Sequence, residues 1–357
     1  MANINASVIM AGYPITLTWN GPPVLTVVVD TEEEFDWNAP FNRDARSTSN
    51  ILLQPLAQSI MDHYGVIPTY AVDYPVADTG TASSVLRTIA DDRRCEIGAH
   101  LHPWVNPPYD EPLDEFHSFP GNIAPQLERE KLSRLANKIE NAFGARPIMY
   151  KAGRYGIGPE TFKTLSALGF RIDASIVPHT NFSHRGGPDF TFFPAVPFQA
   201  GPQLIALPLS VHFVGALASK GGPLYSMLSH RTALRLRAPG IAARLGLLQR
   251  LRLSPEGHSL AEMKQQTRTA LAHGERYFML TYHSSTLLPG ATAYAPNEVS
   301  RNEFLEKLDG YFSFFLKACG GQAMSTSALA ASLSLPTFQH AGRTRRALFG
   351  SRRMAVN

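Results

Sequence analysis

Val24-Leu25-Thr26-Val27-Val28-Val29-Asp30-Thr31-Glu32-Glu33-Glu34 decides how the rest of the chain is read. The apolar run is β-branched, follows a Gly-Pro-Pro stop at residues 21–23, and shows no polar alternation. A run of this kind fits a strand buried on both faces, as in a parallel sheet covered by helices. Working outward, helical patterns at 51–64, 82–91 and 159–168 alternate with apolar strand patterns at 68–72, 95–101, 148–152, 170–176 and 204–209. Pro125 opens a longer helix marked by Leu127, Leu132, Leu135, Ile139 and Phe143. A helix at 259–272 carries Ser259 at the cap and Glu262 in the capping-box position. A strand at 277–282 comes next, then an amphipathic helix through Phe304, Leu305, Leu308, Phe312 and Phe315. Short elements at 322–324 and 327–331 close the pattern. Repeated strand–helix units predict an α/β fold, and their number suits a (β/α) barrel.

The domain expected from this pattern spans 24–335, with an N-terminal extension at 1–23. A basic insertion at about 219–255 reads as two short helices broken at Pro239 and Gly240, and a basic tail covers 336–357. Apolar residues make up 44% and charged residues 17% of the 357, which is a globular composition. The net charge of +4 hides an asymmetry. Residues 220–252 and the tail hold much of the Lys and Arg and no acid, so the remaining body is acidic. Those two segments are either solvated decoration or a docking surface for an anionic membrane or a phosphorylated partner. No nucleic-acid partner is expected. Cys95 and Cys319 are read as buried reduced thiols rather than a disulfide or a cysteine zinc site. No secretory n-region or h-region opens the sequence, and no stretch reaches membrane-spanning length, so a cytoplasmic location is expected, with membrane association through the basic segments.

The chemistry gathers at strand ends. Asp30 and Glu32 stand at i and i+2, so they project from one face at the C-terminal end of the first strand. In a parallel barrel that end builds the active site. Two close carboxylates repel and favour a cation. His100 and His102 repeat the i, i+2 spacing in Glu96-Ile-Gly-Ala-His100-Leu-His102-Pro-Trp104. Two neutral imidazoles with a carboxylate make an open site for a divalent metal, zinc first, with cobalt, manganese, iron or nickel as alternatives. His283 ends the apolar strand Phe278-Met-Leu-Thr-Tyr-His283 and suits the role of general acid. Ser284 and Ser285 follow it, but the sequence has no Gly-x-Ser-x-Gly elbow for a serine hydrolase. Lys151, Arg154 and Tyr155 lie in Tyr150-Lys-Ala-Gly-Arg-Tyr-Gly156, where cations and a flexible backbone could orient a substrate or an oxyanion. Asp173, in Asp173-Ala-Ser175, could pair with a cation or tune His283.

Taken in order, Asp-x-Glu, Glu-Ile-Gly-x-His, Lys-Ala-Gly-Arg, Asp-x-Ser and the strand-end His resemble the five motifs of polysaccharide deacetylases with the NodB homology fold. The His-Leu-His-Pro-Trp segment, Ser254-Pro-Glu-Gly257 and Tyr282-His-Ser are similar to the branch known as lipopolysaccharide biosynthesis proteins. The resemblance covers roughly residues 24–332. It implies a distorted (β/α) barrel and metal-dependent deacetylation of an N-acetylated sugar. Asp30 would then be the base, Glu32, His100 and His102 the metal ligands, and His283 the acid. Lys151, Arg154, Tyr155, Asp173 and Trp104 would bind substrate or support the oxyanion. This chain departs from the usual pattern where Thr31 separates the first two acids and where the histidines stand closer than usual. If His102 does not reach the metal, Asp30 becomes a ligand and the base is unassigned. The third motif's cation is Lys151 or Arg154. Two other functions fit the same residues: hydrolysis of a small non-sugar amide such as a cyclic ureide, and an inactive glycan-binding barrel.

Overall fold

The structure is a computed structural model that describes residues 15–333 except 231, 232 and 234. Strands β1 (Ile15–Thr16), β2 (Val24–Thr31), β3 (Thr69–Val72), β4 (Glu96–Leu101), β5 (Met149–Ala152) and β6 (Ile172–Asp173) are joined by β7 (Phe198–Gly201), β8 (Leu204–Ala206), β11 (Tyr277–His283) and β12 (Gln322–Ala323) in one sheet. Its order is β1-β7-β8-β6-β5-β4-β3-β2-β11. Pairing is parallel from β8 to β11 and antiparallel at β7 and β1. β12 pairs with the first two residues of β2, below the stretch that β3 occupies.

The sheet curls into an incomplete barrel. β8 and β11 do not pair with each other, and an irregular segment spans the gap. Tyr277 donates its hydroxyl to the Pro208 carbonyl at 2.8 Å, the Met279 amide donates to Ser210 Oγ at 2.8 Å, and the Thr281 amide to the Leu253 carbonyl at 3.2 Å. Every residue of β2 is buried. That is what its apolar run requires, because helices cover the outside of the sheet while side chains fill its interior. The helix Pro125–Phe143 ends at Gly144 in the left-handed conformation, and Leu260–Ala272 carries the Ser259–Glu262 capping box.

The 219–255 segment differs from expectation. It contains helices Gly221–Leu228 and Ala238–Arg244, with Pro239 in the first turn of the second helix rather than at a break. Pro is favoured there because its missing N–H would find no helical partner. Beyond these helices, β10 (Gln249–Arg252) pairs antiparallel with β9 (Val211–Val214), so the end of the segment is a strand rather than a helix. Cys95 is buried as expected, but Cys319 is partly exposed. Among the described residues no helix is long and apolar enough to cross a membrane. Ile15–Thr16 pairs with β7, and Leu17 is buried in the core. The remainder of the N-terminal extension, residues 1–14, and the basic tail lie outside the described residues.

Candidate metal centre and active site

Strand register assembles the site. Across the parallel pairs, His283 stands opposite Asp30, and His100 opposite Lys151. The C-terminal ends of β2, β4, β5 and β11 therefore meet at one mouth. A cavity of ≈ 1140 Å³ opens there, lined among others by Asp30, Glu32, His100, His102, Arg154, Tyr155 and His283.

Glu32, His100 and His102 converge through single atoms. Glu32 Oε2 lies 3.5 Å from His100 Nε2 and 3.5 Å from His102 Nε2, and the two nitrogens are 3.1 Å apart. All three residues are buried. The hydrogen-bond partners assign the tautomers. His100 Nδ1 faces the Lys151 carbonyl at 3.0 Å, which can only accept, so Nδ1 carries the proton. His102 Nδ1 donates to Glu33 Oε2 at 2.8 Å. Burial lowers the His102 pKa, which favours the neutral ring. Two lone pairs and a carboxylate oxygen thus face one another at the cavity floor, an arrangement that calls for a cation between them. Bonds of about 2.0–2.1 Å in a tetrahedron put neighbouring donors roughly 3.3–3.4 Å apart. The three observed separations bracket that value, so the residues fit a divalent ion with an open fourth position.

The support behind His102 is dense. Trp104 stacks on its ring at 4.2 Å between centroids and donates Nε1–H to Glu33 Oε1 at 2.9 Å. The Glu33 amide donates to Asp73 Oδ2 at 2.7 Å, and Asp73 Oδ1 caps the helix Tyr74–Asp78. Burial first, then the neighbouring charge, pushes Glu33 up to about 7 and Asp73 well above the carboxylate range. Glu33, Asp73 and His102 form a second potential ligand cluster. Its His102 nitrogen, however, is the protonated Nδ1, which suits an orienting shell behind the first cluster. Gly153 is required at this point, since a Cβ there would collide with the His102 ring and the Leu101 carbonyl.

Beside this cluster lie two charge pairs. Lys151 is fully buried inside the barrel and donates to Asp30 Oδ1 at 2.5 Å and to Thr281 Oγ1 at 2.8 Å. Burial would raise the Asp30 pKa, but Lys151 above all, then His100 and His283, holds it down at about 2. His283 Nε2 is 3.6 Å from Asp30 Oδ2. Its Nδ1 is 2.9 Å from Glu256 Oε2, and its amide donates to Glu256 Oε1 at 2.8 Å. Burial alone would favour neutral His283, but Glu256, Glu32 and Asp30 outweigh it and push the pKa up to about 10. That balance favours the imidazolium.

Not every residue singled out from the sequence reaches the cavity. Trp104 lies beneath His102 rather than against a substrate space, and Lys151 sits inside the barrel against Asp30. Asp173 is buried, is bonded to the Ser175 hydroxyl at 2.6 Å and amide at 3.1 Å, and does not contact His283. The carboxylate on His283 is Glu256 instead. Arg154 lines the cavity but pairs with Glu115 at 3.1 Å, so the cation on Asp30 is Lys151. Arg154 and Tyr155 both adopt left-handed backbone, at φ 54° and 60°, a strained pairing typical of functional sites. The Gly156 amide is spent on the Gly153 carbonyl. Ser284 Oγ accepts the Glu32 amide at 3.1 Å and so fixes the backbone of a ligand.

Glu33, Asp73, Arg252 and Glu256 join the site without having been singled out from the sequence. Asp73 had a usable signal, an acid directly after a buried strand. Glu256 stood in the Ser-Pro-Glu-Gly stretch, but nothing there marked its partner.

No protein-family model matches the chain, and no curated protein matches it. Among solved structures, the chain is similar to a provisionally assigned polysaccharide deacetylase from Mycobacterium smegmatis, with 17% identity and a TM-score of 0.52 over 89% of this chain and 93% of that one. The two share the barrel-like fold. Weaker likenesses are a family 4 acetyl xylan esterase from Clostridium thermocellum in complex with a cobalt ion (11% identity, TM-score 0.42, 87% and 91% covered) and a CE4 family pseudoenzyme from Bacillus anthracis (11%, 0.45, 89% and 69%).

Proposed function

We propose that this protein is a metal-dependent deacetylase that hydrolyses the amide of an N-acetylated sugar during surface-polysaccharide or lipopolysaccharide assembly. The observation that carries the reading is the facing set of Glu32 Oε2, His100 Nε2 and His102 Nε2 beside two opposed charge pairs. A cation held by that set, zinc first by its ligand chemistry, would polarise the acyl carbonyl and acidify the attacking water, which lets a base as weak as Asp30 take the proton. Lys151 keeps Asp30 ionised and aimed. His283, held as the imidazolium by Glu256, gives its proton to the departing amine as the C–N bond breaks. The products are acetate and the free amino sugar. Trp37, 49% exposed at the rim, and Phe35 offer apolar faces to a sugar ring. Incubation with N-acetylglucosamine oligomers should release acetate and lose that activity to a chelator. Ring opening of a ureide without acetate release would favour the small-amide alternative, and chelator-insensitive sugar binding with no turnover the inactive barrel.

The 217–247 segment supports a membrane-facing role within the same reading. Leu217, Met227, Leu236, Ile241, Leu245 and Leu247 are all exposed, between 39% and 70%, among Lys220, Arg235, Arg237 and Arg244 with no acid. Apolar anchors ringed by cations fit an anionic bilayer. The protein should float with phosphatidylserine vesicles and not with pure phosphatidylcholine, and Leu245→Asp with Arg244→Glu should abolish flotation. Equal flotation of variant and wild type would remove the membrane from the account.

A further inference from the structure

We infer that the cavity holds a subsite for an anionic group on the sugar, a carboxylate or a phosphate, built on Arg252. The inference rests on the amino-sugar reading above. Arg252 ends β10 and lines the cavity wall. Its Nη1 donates to the Tyr155 hydroxyl at 2.8 Å, and among the described residues no carboxylate lies within ion-pair distance of its guanidinium. The nearest segment's acid is already committed. Glu256 Oε1 accepts from the His283 amide and from Thr286 Oγ1, and its Oε2 faces His283 Nδ1. The other two cavity arginines differ, because Arg154 and Arg185 both pair with Glu115, at 3.1 and 2.9 Å.

Tyr155 fixes the guanidinium plane from one side. It is itself held by left-handed backbone and by stacking on Phe182 at 5.7 Å. The remaining edge of Arg252, with Nε–H and Nη2–H parallel, matches the two oxygens of a carboxylate or phosphate. Arg252 lies in the same segment as Glu256, which faces His283, the proton donor to the leaving amine, so the anion is tested on the amino-sugar side of the substrate.

Three probes test this: N-acetylglucosamine, N-acetylglucosaminuronic acid and N-acetylglucosamine 1-phosphate, followed by calorimetric binding and by acetate release. The wild type should bind one or both anionic probes about 10- to 100-fold more tightly than the neutral sugar, the range of a charge-assisted hydrogen-bond pair. The probe preferred of the two identifies carboxylate or phosphate. Arg252→Gln should collapse the anionic-to-neutral ratio toward one, and Arg252→Lys should keep part of it and serve if the Gln variant does not fold. A wild type without anionic preference overturns the subsite. So does an Arg252→Gln variant that weakens all three probes equally, since Arg252 would then only position Tyr155. Anion preference with no acetate released from any probe keeps the subsite and defeats the deacetylase reading instead.

Discussion

Asp30→Asn is expected to lose hydrolysis by about 10²- to 10⁴-fold, the usual contribution of a positioned base, and to destabilise the fold at the same time. The second effect follows from Lys151. Its ammonium is fully buried with one carboxylate and one hydroxyl as partners. Removing the carboxylate charge strands a cation in the barrel interior, which costs about 3–5 kcal/mol for a broken buried pair. Asp30→Asn/Lys151→Met removes both charges and should regain most of the stability in urea unfolding while leaving acetate release abolished. A single variant as stable as wild type would mean that Lys151 is not held as a buried cation by Asp30.

His283→Gln should separate the acid step from the rest. An amide leaves as an amine only when protonated, so turnover of an N-acetyl sugar should fall about 10²- to 10⁴-fold. An activated ester such as p-nitrophenyl acetate leaves without a proton, and its hydrolysis should fall far less. Glu256→Gln should show the same selectivity more mildly, because Glu256 is the first of the carboxylates that keep His283 protonated against the cost of burial. It should also move the alkaline limb of the pH–rate profile to lower pH. Equal losses on both substrates would deny His283 the role of acid.

The parts legible in sequence were those coded by one segment at a time. β2, β4, β5 and β11 each carry a residue with chemistry at the last or next-to-last position: Asp30, His100, Lys151 and His283. Parallel register then brings Asp30, His100, Lys151 and His283 together with no further information. What was hidden depends on partners far along the chain. Glu256 gains its meaning from His283, and Glu33 from His102 and Asp73. The antiparallel strands were hidden for another reason. Phe198–Gly201 has only one buried residue, and Gln249–Arg252 reads Gln-Arg-Leu-Arg, so neither carries a strong strand pattern. Their pairing is decided by the neighbours they find. Trp104 shows the same limit. Its place in His-Leu-His-Pro-Trp suggested substrate, yet packing turned its ring under His102.

Glu32, His100 and His102 together should hold one divalent ion. Elemental analysis of the protein reconstituted with zinc, cobalt, manganese, iron or nickel, beside Glu32→Gln, His100→Ala and His102→Ala, tests it most directly. About one ion per wild-type chain is expected, the count of a single three-ligand site, with most of it lost in each variant. A wild type that binds none of these metals, or a His102→Ala variant that keeps its full complement, would contradict it.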